Sequence, residues 1–203
     1  MMGQSHAVFG GVATATLLIA NGYTPAGEGI VPFGLAVLLG TVVATLPDID
    51  TPDSVIRNRF GVGDRQSRQN LRRWRRKSLF EAVLYLLLRP VAILLNFLAK
   101  LFPHRGPTHW LIVAAGLIWL VRSLVQAQGW SPMIWQAFAI GYLSHLVADS
   151  CTKSGLKLFA PFYQESVGLP IRWLRVRTGS WQEGIALGVL LAPMLNWMLL
   201  YYW

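Results

Sequence analysis

Apolar runs alternate with short polar breaks along the whole chain. Residues 7–20, 30–46, 110–125, 133–147 and 184–203 are almost free of charge. Apolar runs approaching about 20 residues predict helices that cross a bilayer. The run 7–20 is short, but with residues 21–23 it approaches the lower limit of about 17 residues. Its small residues Gly10, Gly11, Ala13 and Ala15 favour close helix packing. Run 30–46 stops at Pro47. Residues 24–29 and 126–131 are short turns. Arg122, near the far end of its run, can snorkel, and Tyr201-Tyr202-Trp203 form an interfacial anchor. Run 78–102 differs, because Arg89-Pro90 breaks it. Each half is about 11–12 residues, or ~17 Å of helix, half a hydrocarbon core. It predicts a re-entrant hairpin or a pair of interfacial helices. The expected fold is all-α: a polytopic membrane bundle of about five true spans plus one non-crossing segment, in a single domain over residues 1–203.

Composition agrees with a membrane chain. Of the 203 residues, 54% are hydrophobic and 13% charged, and mean hydropathy is +0.44. A soluble domain carries about 25% charged residues. The net charge of +9 is unevenly placed. Arg57, Arg59, Arg65, Arg68, Arg72, Arg73, Arg75, Arg76 and Lys77 make 51–77 a basic loop. Such a loop is expected on the cytoplasmic side, against anionic lipid. Its only aromatics are Phe60 and Trp74, too few to favour nucleic acid as the partner. The loop 150–183 carries Lys153, Lys157, Arg172, Arg175 and Arg177 and is expected on the same side, whereas 24–29 and 126–131 hold no Lys or Arg. Residues 1–6 also hold none, so no signal peptide is expected. The single cysteine, Cys151, excludes an internal disulfide.

The candidate chemistry centres on His104-Arg105-Gly106-Pro107-Thr108-His109. Pro107 keeps this stretch out of regular helix. Thr108 then stands as a helix N-cap and His109 in the first helical turn, where N–H groups and the dipole favour an anion. Asp48 and Asp50 follow Pro47 as a pair of oxygen ligands. His145 and Asp149, at i and i+4, share one helix face. If 78–102 does not cross, His6, Asp48, Asp50, His104, His109, His145 and Asp149 all reach the cytoplasmic membrane face. His and Asp without thiolates suit zinc or a similar divalent ion. Seven such residues exceed one zinc's roughly three or four ligands and suit two ions about 3.5–4 Å apart, the arrangement used in phosphoester hydrolysis. Arg105 and Asp50 are the candidate catalytic residues, with Arg105 clamping a phosphate oxygen. Lys153, in the turn Thr152-Lys153-Ser154-Gly155, is a second candidate phosphate contact. Each residue also has an ordinary structural role open to it: a polar terminus for His6, a helix-ending turn for the two aspartates, an intrahelical pair for His145 and Asp149.

Ser5-His6, Leu46-Pro47-Asp48-Ile49-Asp50, the stretch from His104 to His109, and Gly141-Tyr142-Leu143-Ser144-His145 with Asp149-Ser150, Thr152 and Gly155 together resemble the YdjM family. The resemblance runs from His6 to about Pro161. It implies a bacterial inner-membrane, metal-dependent hydrolase, and also a protein that binds the repressor LexA. It further implies a distant likeness to zinc-dependent phospholipase C and P1-type nucleases, whose His-x-x-x-Asp ligand pair is similar to His145 and Asp149.

Three functions stand open at this level. The first is a hydrolase of a phospholipid or lipid-linked phosphate, holding one or two zinc or similar ions. The second is a membrane-anchored regulator that binds a LexA-like protein through its basic loops. The third is a transporter, against which the clustering of polar groups at one face argues.

Overall fold

The computed structural model describes residues 3–50, 106–168 and 175–202. The chain divides into two units, Met1–Pro47 with His109–Trp203, and Asp48–Thr108. The described residues of the second unit are 48–50 and 106–108. The basic loop 51–77 and the segment 78–102 lie outside the described residues.

In the first unit the apolar runs become helices. They are α1 (Gly3–Ala20), the single turn α2 (Pro25–Glu28), α3 (Ile30–Val43), α4 (Leu111–Ala127), α5 (Met133–Ser150) and α6 (Trp181–Tyr202). Pro at N1 and the Thr24 hydroxyl, which accepts from Gly27 N–H at 3.0 Å, form α2 inside the expected turn. Leu18 and Ile19, near the end of α1, pack with Phe33 at the start of α3 and with Met133 and Ala137 at the start of α5. Val43, at the end of α3, packs with Tyr142 and Leu146 in the second half of α5 and with Ala114 early in α4. So α3 and α5 run parallel, and α1 and α4 run opposite to them. Phe9, Ala148 and Val176 pack against Ala186, Leu187 and Leu190 of α6. The start of α1, the ends of α3 and α5, and the starts of α4 and α6 therefore meet at one end of this unit.

Glycines set how closely α1, α3 and α5 approach. A methyl group at Gly10 would collide with Ala44, one at Gly40 with Thr14, and one at Gly141 with the backbone of Gly40. Small residues bring membrane helices into direct backbone contact, and dispersion between the close-set backbones holds them. Gly10 lies four residues after His6, and Gly141 four before His145. The closest helix contacts thus sit one turn, about 6 Å, from both histidines.

Much of the outer surface is apolar: Ile30, Val31, Trp119, Val189 and Leu200 are each at least 67% exposed. Among the described residues α6 is the helix long and apolar enough to cross a membrane, and α3 and α4 are shorter apolar helices. The described regular elements are all helical, with isolated bridges at Thr152–Val176 and Leu156–Val167. Two expected boundaries are corrected. Helix α3 stops at Val43, short of residue 46, because Ala44 is its C-cap and the Thr45 hydroxyl donates to Val42 C=O at 2.7 Å. Helix α6 starts at Trp181, three residues before the apolar run, so Glu183 lies in its first turn rather than in the loop.

Candidate metal centre

Four buried side chains converge at the common helix end. Helix α5 supplies His145 and Asp149 one turn apart, α1 supplies His6, and the 3-10 turn Pro107–His109 supplies His109. All three histidines are 0% exposed and Asp149 is 2%. The expected helical cap at Thr108 is corrected here. Trp110 is extended and is itself the N-cap of α4, so His109 precedes the helix. Leu111 N–H donates to Leu158 C=O at 2.8 Å, a partner far along the chain that no local pattern announces.

The end of α3 leaves backbone carbonyls without helical partners. One of them, Ala44 C=O, lies 2.8 Å from His145 Nδ1. A carbonyl only accepts, so Nδ1 carries the proton and Nε2 of the neutral ring carries the lone pair. That lone pair faces His109 Nε2 at 3.2 Å. Asp149 Oδ2 is 3.9 Å from both nitrogens. The other carboxylate oxygen, Oδ1, is 3.1 Å from His6 Nε2. The His6 ring stacks on His145 with centroids 3.9 Å apart and planes inclined by 25°. Ligand atoms of His109, His145 and Asp149 lie within 4.8 Å of one another.

This donor set could hold a divalent ion. A backbone carbonyl on the far nitrogen is the usual way of orienting a ligating imidazole. The converging imidazoles of His109 and His145 and the Asp149 carboxylate offer nitrogen and oxygen to a borderline ion such as zinc. A cation would also offset the cost of burying the carboxylate. Cys151 is not suited to join: its Sγ–H points to Val147 C=O at 3.4 Å, and burial pushes the thiol up, away from thiolate.

The family model described as YdjM inner membrane protein matches residues 1–203. The chain belongs to the YdjM family. No curated protein and no solved structure matches it. The family description places this YdjM member in an inner membrane, in keeping with the long apolar α6.

The remaining candidate residues of this YdjM chain, Asp48, Asp50, His104 and Arg105, belong to the second unit. Asp48 is half-buried in the 3-10 turn Pro47–Asp50 and is the first residue of the second unit. It follows buried Pro47 across one peptide bond. The side chain of Asp50, and both His104 and Arg105, lie outside the described residues. Two contributors escaped the sequence. Ala44 acts through its carbonyl, and the stop of α3 before Pro47 is the signal that could have found it. Glu183, 3% exposed, accepts from Ser5 Oγ at 2.6 Å and from Gly179 N–H at 2.7 Å. Ser180-Trp181-Gln182-Glu183 fits a capping-box pattern, which marks Glu183 as helical. The tie to Ser5 fixes the start of α1, and with it the neighbouring His6.

Proposed function

We propose that this protein is a metal-dependent hydrolase of the inner membrane, acting on a phosphoester, a phospholipid or a lipid-linked phosphate, at the cytoplasmic face. The observation that carries this is the orientation of His145, with Nδ1 on Ala44 C=O and Nε2 turned toward His109 and Asp149. His6, His109, His145 and Asp149 would hold one or two zinc or similar ions, with Asp48, Asp50 and His104 as further ligands. When bound, such ions supply Lewis-acid polarisation of a phosphoryl oxygen and acidify water. Arg105 orients the substrate by a two-pronged hydrogen bond to non-bridging oxygens, and Asp50 accepts a proton from the attacking water.

In this proposal the first-unit helices cross the membrane, giving about five spans. Residues 78–102 do not cross, so His104 stays on the side of His6 and His145. Hydrolysis of a phosphoester panel by metal-replete protein in lipid nanodiscs tests the activity. Turnover that a chelator removes and zinc restores is expected. A basic run, with nine of the eighteen Lys and Arg between residues 57 and 77, favours a second reading. This is a membrane-anchored regulator binding a LexA-like protein. If no phosphoester is turned over and neutralising Arg68–Arg76 abolishes binding of a protein partner, that second function replaces the first.

A further inference from the structure

The segment after α5 carries a group of outward-facing rings. Phe159 is 51% exposed, Phe162 85% and Tyr163 53%. The backbone beneath them is firmly held. Leu156 pairs with Val167 through N–H···O bonds of 2.8 and 2.6 Å, and Leu158 C=O accepts from Leu111 N–H. Phe162 N–H and Tyr163 N–H both donate to Phe159 C=O at 3.1 Å. Leu156 and Ala160 are buried, at 1% each, while the rings between and beyond them point out. This alternation means the rings are presented by a fixed scaffold.

Their level in the fold is fixed as well. Leu158 is tied to the first residue of α4; just past the end of α5, Lys153 N–H donates to Val176 C=O and Val176 N–H to Cys151 C=O, a bridge between Thr152 and Val176. Five residues after Val176, Trp181 opens α6 and is 76% exposed. So the three rings sit at the helix-end level from which the long apolar α6 departs, where aromatic residues meet lipid headgroups. Lys153 and Lys157, both exposed, precede the rings, and the exposed Glu165 follows them; the two lysines match the anionic cytoplasmic leaflet.

We propose that residues 157–163 form an interfacial lipid-binding element, with Phe159, Phe162 and Tyr163 immersed at the headgroup boundary and Lys153 and Lys157 on lipid phosphates. This does not depend on hydrolysis at the histidine cluster. It places a lipid surface directly beside the turn that carries His109.

Site-directed spin labelling of the full chain in nanodiscs tests it. In a Cys151→Ser background, nitroxides are attached at Phe162→Cys and, as the polar reference in the same segment, at Glu165→Cys. Both positions are exposed, so labelling them spares the packing. The expected result is a several-fold higher ratio of oxygen to nickel-complex collisions at 162 than at 165. In anionic discs that ratio exceeds the ratio in zwitterionic discs, and Lys153→Gln/Lys157→Gln removes the difference. Nickel access at 162 equal to that at 165 would place the rings in water and overturn the proposal. Shielding of 162 from both reagents would mean that protein covers the rings, and would overturn it too. Equal ratios in the two lipids would overturn the assignment of the lysines to lipid phosphates.

Discussion

Replacing Gly141 by alanine should separate helix packing from helix propensity. A Cβ at Gly141 would lie 2.9 Å from Gly40 Cα and closer still to its carbonyl oxygen. Those are backbone atoms, so no side chain can swing away and α5 must move from α3. Overpacking of this kind costs about 1–3 kcal/mol, and a rigid backbone obstacle belongs in the upper half of that range. The helical preference of alanine over glycine returns about 0.5–1 kcal/mol. The net loss is about 1–2.5 kcal/mol, a drop of roughly 5- to 70-fold in the folding equilibrium constant. The shift also reaches the site. His145 is one turn further along α5, so its 2.8 Å bond to Ala44 C=O lengthens. Loss of such an orienting bond lowers metal affinity by about 10–100-fold. The control is Gly116→Ala in α4, where a Cβ meets nothing within 4 Å. That change should leave stability unaltered or raise it by up to about 1 kcal/mol. Unfolding of detergent-solubilised protein by titrated denaturing detergent, with cobalt absorption as the site probe, measures both effects. If Gly141→Ala matches Gly116→Ala in stability and in cobalt spectrum, the close α3–α5 contact does not position the centre.

Glu183→Ala leaves the Ser5 hydroxyl and Gly179 N–H without their acceptor, and should cost about 1–3 kcal/mol. It should also alter the cobalt spectrum through His6, whereas Glu183→Gln, which retains one acceptor, should keep much of both; an unchanged spectrum in the alanine variant would detach Glu183 from the centre. Arg105→Lys keeps the charge but loses the planar fork. Metal content should hold while turnover on a phosphodiester falls by about 10²-fold or more, and equal loss of metal would instead make Arg105 structural. Cysteine placed at position 104, with Cys151 replaced, should label only from the cytoplasmic side; labelling from the other side alone would mean that residues 78–102 cross.

What the sequence made legible was local. The four-residue spacing of His145 and Asp149 put them on one helix face, and the apolar runs located α1, α3, α4, α5 and α6 to within a few residues. What it hid was long-range. The Leu111–Leu158 hydrogen bond decides that α4 begins after His109, and its partners stand 47 residues apart. Gly10 advertised close packing, but not that Ala44 would receive it, and the contact of Gly141 with Gly40 carried no such signal. Ala44 itself contributes a backbone carbonyl, which every residue has, so side-chain identity could not mark it. Glu183 looked like a loop charge because hydrophobicity begins after it; its capping position and its reach to Ser5, 178 residues away, make it part of the scaffold. Asp48 and Asp50 followed from a proline stop, a signal for where a helix ends that carries no information on what the carboxylates face.

Metal held by the buried histidines and Asp149 underlies the proposed chemistry. The most direct measurement is elemental analysis of protein purified in mild detergent, beside His145→Ala and Asp149→Ala. The wild type should retain about one to two zinc or similar ions per chain, and each variant should hold less, since each removes a ligand whose atoms face the others. A wild type without bound metal, or the same content in all three proteins, would mean that His6, His109, His145 and Asp149 are a hydrogen-bonded structural cluster and nothing more.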